Sequence, residues 1–236
     1  MKFISLLTLL FCLQAPVLHS QSSKYRFGVQ IQTGISDLVF HNPQYPSFET
    51  LNREGTTWRL SPGIAALCRY EVNERLWFQA GLGYELSGYR VKEFVLYQST
   101  PEMPEPVRLG TAKGTIHYHD FNLSFHFKVK PFRGAGRFYV TSGLSNLVKI
   151  SRRQTIFIHY DTGETIKHKE SLPVNGRKFA HWNLRTDIGF GFEMNADGKI
   201  PWFIEPGFGY TLFPIITEDS SRWRQYVTGV KVGIML

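Results

Sequence analysis

Three groups of residues carry enough chemistry to suggest a function. The first is His117-Tyr118-His119-Asp120. Two histidines two residues apart fall on one face of a strand, so His117 and His119 could share a metal ion, with His159, His168 or His181 reaching in from neighbouring segments. A histidine beside Asp120 could also serve as a general base. No third ligand has a fixed spacing, and no Ser or Cys nucleophile is tied to these residues. The expectation is therefore interfacial and loop histidines, with no metal site, no cofactor and no enzymatic activity.

The second group is a set of charges that recur at alternate positions. Arg26, Arg59, Arg69, Lys128, Lys130, Arg185 and Lys231 stand against Glu71, Glu85, Asp120, Asp187, Glu193 and Glu205. Buried charges are tolerated when paired, and the signs nearly balance. Arg59, Glu85, Asp120, Arg185, Asp187, Glu205 and Lys231 are expected to form an internal polar network, a salt-bridged plug, with a polar pore or proton path as the alternative.

The third group is basic. The whole chain carries a formal charge of +8, and Lys149–Lys178 holds seven basic residues against three acidic ones. Arg152, Arg153, Lys167, Lys169, Arg177 and Lys178 are expected on an exposed loop facing lipopolysaccharide phosphates or an acidic protein partner. No phosphate loop, zinc quartet or nucleotide fingerprint occurs, and nucleic acid is not an expected partner.

The elements that must position these residues are two-faced strands. Tyr25–Ser36 (YRFGVQIQTGIS) places Tyr25, Phe27, Val29, Ile31 and Ile35 on one face, and Arg26, Gly28, Gln30, Gln32 and Gly34 on the other. A period of two is a β-strand with different surroundings on its two faces. The pattern recurs over residues 57–72, 76–88, 115–130, 137–150, 179–194, 201–213 and 222–236. Aromatic residues make up 15% of the chain, in keeping with strands. Connections near 73, 133 and 197 are short. Those near 46, 100, 165 and 217 are longer, and 151–178 contains a hairpin around Asp161-Thr162-Gly163. Pro62-Gly63 and Pro206-Gly207 are expected to mark bulges or bends.

The first twenty residues read as a leader. Lys2 precedes the apolar run Ile4–Leu13, too short to cross a bilayer, and cleavage after Ser20 would leave 21–236 as the barrel domain. Cys12 departs with it, so Cys68 is left without a disulfide partner and reads as a small hydrophobe.

The faces decide between a soluble and a membrane barrel. The polar face combines charges of both signs with many glycines, as suits the tight interior of a barrel of about eight strands. The opposite face is bulky, apolar and capped by aromatics such as Trp58 and Tyr70, as suits lipid with interfacial girdles. The fold class is all-β: an antiparallel up-and-down transmembrane β-barrel of about eight strands with extended extracellular hairpins, located in the bacterial outer membrane.

The segments FNLSFHFKVKP (121–131), NLRTDIGFGFE (183–193) and the terminal TGVKVGIML resemble the PorT-like outer-membrane β-barrel family, and more loosely the OmpA/OmpX-type eight-stranded barrels. That resemblance implies a non-enzymatic structural or interaction module, associated with type IX secretion or gliding. The alternatives are a narrow passive pore, or a lipid-modifying or proteolytic barrel enzyme using the histidine-rich rim. The expected partners are outer-membrane lipid, lipopolysaccharide and proteins that meet the extracellular loops.

Overall fold

The computed structural model describes residues 24–41, 55–100, 103–131, 138–172, 180–194, 200–218 and 221–236. The leader with its cleavage bond, Pro43 and Pro46, the turns at 132–137 and 195–199, and the basic residues Arg177 and Lys178 lie outside them.

Twelve strands are described: β1 (Tyr25–His41), β2 (Thr56–Thr57), β3 (Arg59–Leu60), β4 (Gly63–Asn73), β5 (Leu76–Thr100), β6 (Met103–Val129), β7 (Phe138–Tyr160), β8 (Thr165–Leu172), β9 (Trp182–Met194), β10 (Trp202–Thr211), β11 (Ile216–Glu218) and β12 (Ser221–Met235). Eight of them close a ring in the order β1-β4-β5-β6-β7-β9-β10-β12, every neighbour antiparallel. The seam is the long ladder between β1 and β12, from Gly28 opposite Met235 to His41 opposite Arg222. Closure leaves no strand edge in the lipid, where an unpaired backbone group would cost several kcal/mol.

The alternation assigns the two faces as expected. Ile31 is 61% exposed, Phe125 58% and Ile188 57%, whereas Lys128 is 0% and Arg69 2% exposed. That is the inverse of a water-soluble protein, and it places the apolar face against lipid. Cys68 lies on the outward side of β4, opposite Phe27.

Two features depart from the sequence reading. The segments beyond the membrane continue as sheet instead of loop. β1 runs on to His41, and β5 and β6 remain paired through Val91–Gly114 and Phe94–Ala112 out to Thr100–Met103. The hairpin expected around Asp161-Thr162-Gly163 is present, with β7 extending to Tyr160 and pairing with β8. A four-stranded β5-β6-β7-β8 sheet therefore stands above the ring. Alternation weakens there because both faces meet water, and register shifts between Val91 and Phe94 interrupt its period. Pro62 behaves as expected, separating β3 from β4. Pro206 marks no bulge: β10 runs through it opposite Val230, and the register with β9 is the same on either side.

The turns follow local chemistry. Asn73 Oδ1 accepts from the Arg75 and Leu76 amides, each at 2.9 Å, closing the short β4–β5 connection. Gly163 sits at φ +89° in the β7–β8 turn, a conformation that disfavours a side chain.

Candidate functional site

The inward-facing residues combine a polar network with two apolar plugs, one toward each end. Toward the short turns, Leu67, Phe203 and Met235 pack together, with Trp77 and Tyr139 edge to face at 5.3 Å between ring centres. Toward the hairpins, Leu38, Tyr89, Ile116, Tyr118 and Ile215 close the opposite end. Sequence reasoning placed the charges inward but missed these plugs. Their signal was present: Trp77, Tyr139 and Phe203 share strand parity with lumen residues, against the expectation that large aromatics face lipid.

Ion pairs cross the ring, two of them interleaved with the lower plug. Arg69 Nη1 on β4 meets Glu193 Oε1 on β9 at 2.5 Å. Arg185 on β9 reaches Glu85 on β5 at 2.7 Å and Asp187 on its own strand at 3.0 Å. Lys128 Nζ on β6 meets Glu205 Oε2 on β10 at 2.5 Å, and Lys231 approaches the other oxygen of Glu205 at 3.5 Å. The Tyr139 hydroxyl donates to Glu205 at 3.0 Å. Lys128 also lies 4.9 Å from the ring centres of both Tyr139 and Phe203, a cation–π contact on each side. Asp120 accepts from Ser87 at 2.9 Å.

Of the residues expected in this network, Glu85, Asp120, Arg185, Asp187, Glu205 and Lys231 face the interior. Arg59 is placed differently. It is half-buried beside Arg90, and its Nη1 donates to the Ser87 carbonyl at 2.7 Å instead of to a carboxylate. The strand break around Pro62 takes it off the regular inward row. Lys128, Glu193, Arg69, His126 and Lys149 join the interior set.

A cavity of about 30 Å³, lined in part by Gln32, Ser61, Thr141, Arg185, Asp187 and Lys231, has room for one or two waters. Ser145 and His126 reach Asp187 from beside this cavity, but the hydroxyl and the imidazole both address the carboxylate, with His126 Nε2 at 3.5 Å from Asp187 Oδ2. In a nucleophilic triad the imidazole stands between the other two.

The histidine group does not converge. His117 and His119 share the outward face of β6, where the Tyr84 hydroxyl contacts His119 Nδ1. His168 pairs with Ile156, which pairs with Gly114, so it falls on the opposite face. His159 bonds Thr165 at 2.9 Å, near the hairpin tip. Burial and the charges of Arg59 and Arg153 hold the His117 imidazole down at about 4. Such surroundings repel a metal cation. Among the described residues, no three His, Cys, Asp or Glu side chains gather as a metal-binding group.

The basic stretch is divided by strand parity. Arg153, Lys167 and Lys169 are exposed on the β7–β8 hairpin. Arg152 is buried at the upper end of the lumen beside Tyr89, a strand residue and not part of an exposed loop.

A closed eight-stranded ring with an outward apolar belt is what the family comparison also gives: the outer membrane protein beta-barrel domain matches residues 19–217. The chain belongs to this outer-membrane β-barrel family. It is located in the outer membrane, with the short turns on the periplasmic side and the hairpins outside. Among solved structures, this barrel is similar to Neisserial surface protein A of Neisseria (8% identity, 90% of this chain and 97% of that one, TM-score 0.40). CarO of Acinetobacter baumannii is also similar (16% identity, 86% and 96%, TM-score 0.39), as is Ail of Yersinia pestis (10% identity, 87% and 97%, TM-score 0.33). No curated protein matches the barrel by sequence.

Proposed function

We propose that this barrel is a closed, non-enzymatic module that acts through its extracellular sheet, in a role like that of the PorT-like proteins of type IX secretion and gliding. The observation that carries the first part is the filled lumen. Among the described residues, paired charges and two apolar plugs fill the lumen, and the cavity of about 30 Å³ beside Arg185, Asp187 and Lys231 is of a size for one or two waters. With transport set aside, the large remaining feature is the β5-β6-β7-β8 sheet, a surface on which a protein partner could rest. The secretion-related role is supported by the resemblance carried by residues 121–131, 183–193 and 228–236, which lie in β6, β9 and β12.

Two measurements test this reading. Purified protein in a planar bilayer is expected to give a closed trace, and stable unitary conductance would overturn it. Affinity capture from cross-linked outer membranes is expected to recover components of a secretion machine. Recovery of lipid-modifying activity in the purified protein, lost in a His117→Ala/His119→Ala variant, would favour the enzyme alternative instead.

A further inference from the structure

Where β5, β6, β7 and β8 leave the apolar belt, their outward face changes character along a defined register. Tyr84, Phe121 and Val148 belong to the belt. Above it, one outward row joins Gly88, His117, Arg153 and Ser171. The next joins Arg90, Thr115, Thr155 and Lys169, and the third joins Lys113, Phe157 and Lys167. These rows contain five Lys and Arg residues and no carboxylate. Arg90, Lys113, Arg153 and Lys169 make no ion pair among the described residues. Arg90 and Arg153 are exposed, and the charge of Arg90 bears on the half-buried Arg59 beside it.

Height decides what these cations meet. Ile150 is the last residue of β7 in the apolar belt, 57% exposed, and Arg153 follows three positions later. At about 3.3 Å per residue and a tilt of roughly 35–45°, Arg153 stands about 7–8 Å above Ile150. Arg90, four positions beyond Leu86 on β5, stands about 10 Å above it by the same geometry. The polar headgroup layer extends roughly 5–8 Å beyond a hydrocarbon core about 30 Å thick. The two guanidiniums therefore lie at the outer margin of that layer, with Lys169 on the row of Arg90 and Lys113 on the row beyond. They continue the face that already touches lipid, so the molecules surrounding the belt are the ones that reach them.

We infer that Arg90, Arg153 and Lys169 form an outward-facing clamp for the headgroup phosphates of an anionic lipid of the outer leaflet, a phosphorylated glycolipid. The guanidiniums offer paired donors matched to phosphate oxygens, and Lys169 adds a point charge on the neighbouring row. The inference rests on the membrane placement alone and stands whether or not the secretion-related role holds.

The test uses the full mature chain reconstituted in phosphatidylcholine vesicles containing a minor fraction of diphosphoryl lipid A or of its phosphate-free counterpart. After detergent extraction and affinity purification, the lipid A retained per protein is measured by mass spectrometry. Wild type is expected to retain the phosphorylated lipid in preference to the phosphate-free one. Arg90→Gln/Arg153→Gln is expected to lose roughly ten-fold in retention, while Lys24→Gln/Arg75→Gln, which removes the same charge at the periplasmic end, is expected to match wild type. Equal retention of the two lipids, or equal losses in the two double variants, would overturn the clamp. If the outward variant fails to fold, raising salt from about 50 mM to about 500 mM over wild type decides the matter. Phosphate-dependent retention is expected to fall steeply, and a flat response refutes the inference.

Discussion

Arg185 on β9 and Glu85 on β5, one hundred residues apart in sequence, meet at 2.7 Å inside the ring. Neither strand neighbours the other; β6 and β7 lie between them on one side. The contact is a strut across the lumen, and Asp187 at 3.0 Å completes the guanidinium's surroundings.

Removing the cation should therefore cost more than the pair contributes in place. Arg185→Leu leaves Glu85 and Asp187 buried without their partner, and a loss of about 3–5 kcal/mol is expected. The unfolding midpoint in denaturant, followed by the heat-modifiable shift on gels, measures it. Glu85→Gln added to Arg185→Leu should recover part of the loss, and an additive double variant would contradict the strut.

A second prediction concerns close packing against Tyr139. A Cβ built on Gly191 falls within the Tyr139 ring, whose hydroxyl is already committed to Glu205. Gly191→Ala should destabilise the barrel by about 1–3 kcal/mol, the cost of overpacking. Pairing it with Tyr139→Ala should show positive coupling in a double-mutant cycle, since the clash is then gone.

The lipid face gives a third. Phe125→Arg, at the middle of the belt, is expected to cost about 2–4 kcal/mol in a bilayer, and Trp58→Arg near its margin about 0–1 kcal/mol. Refolding titrations into phosphatidylcholine vesicles measure both. In a water-soluble barrel, neither outward substitution would carry such a depth-dependent penalty.

Acid should weaken the extracellular end through His117. Its imidazole lies lowered to about 4 against an ordinary value of 6.5, owing first to burial and then to Arg59 and neighbouring charges. Between those values the unfolded chain binds the proton and the folded chain does not. The resulting stability is present above pH 6.5 and is lost as pH falls toward 4. His117→Gln should flatten the stability profile in that window, and an unchanged profile would refute the assignment.

Deleting Arg222–Leu236 should abolish the compact, heat-modifiable form altogether, because β1 and β10 would both lose their β12 ladders. A shortened chain that still shifted on gels would indicate another way of closing the ring.

Much of this was legible in the sequence. The alternation from Tyr25 to Ser36 and its repeats fixed which residues face lipid, because lipid and a packed lumen demand opposite chemistry. The hairpins were harder to read. Beyond the belt both faces meet water, so the connection near residue 100 reads as a long loop although Phe94–Tyr97 lies in a continuous strand. Strand parity also separates Arg152 from Arg153, which a charge count over the whole segment treats alike. Which cation meets which carboxylate was out of reach, since Arg69 and Glu193 are 124 residues apart and only the register around the ring brings them together.

That register has a consequence for biogenesis. In all three struts one partner sits on β4, β5 or β6 and the other on β9 or β10. A nascent sheet ending at β7 would carry Arg69, Glu85 and Lys128 without these counterions, and its inner surface would have to stay hydrated. Neutralising the interior and sealing the circumference are then a single late event, set by the arrival of the C-terminal third of the chain.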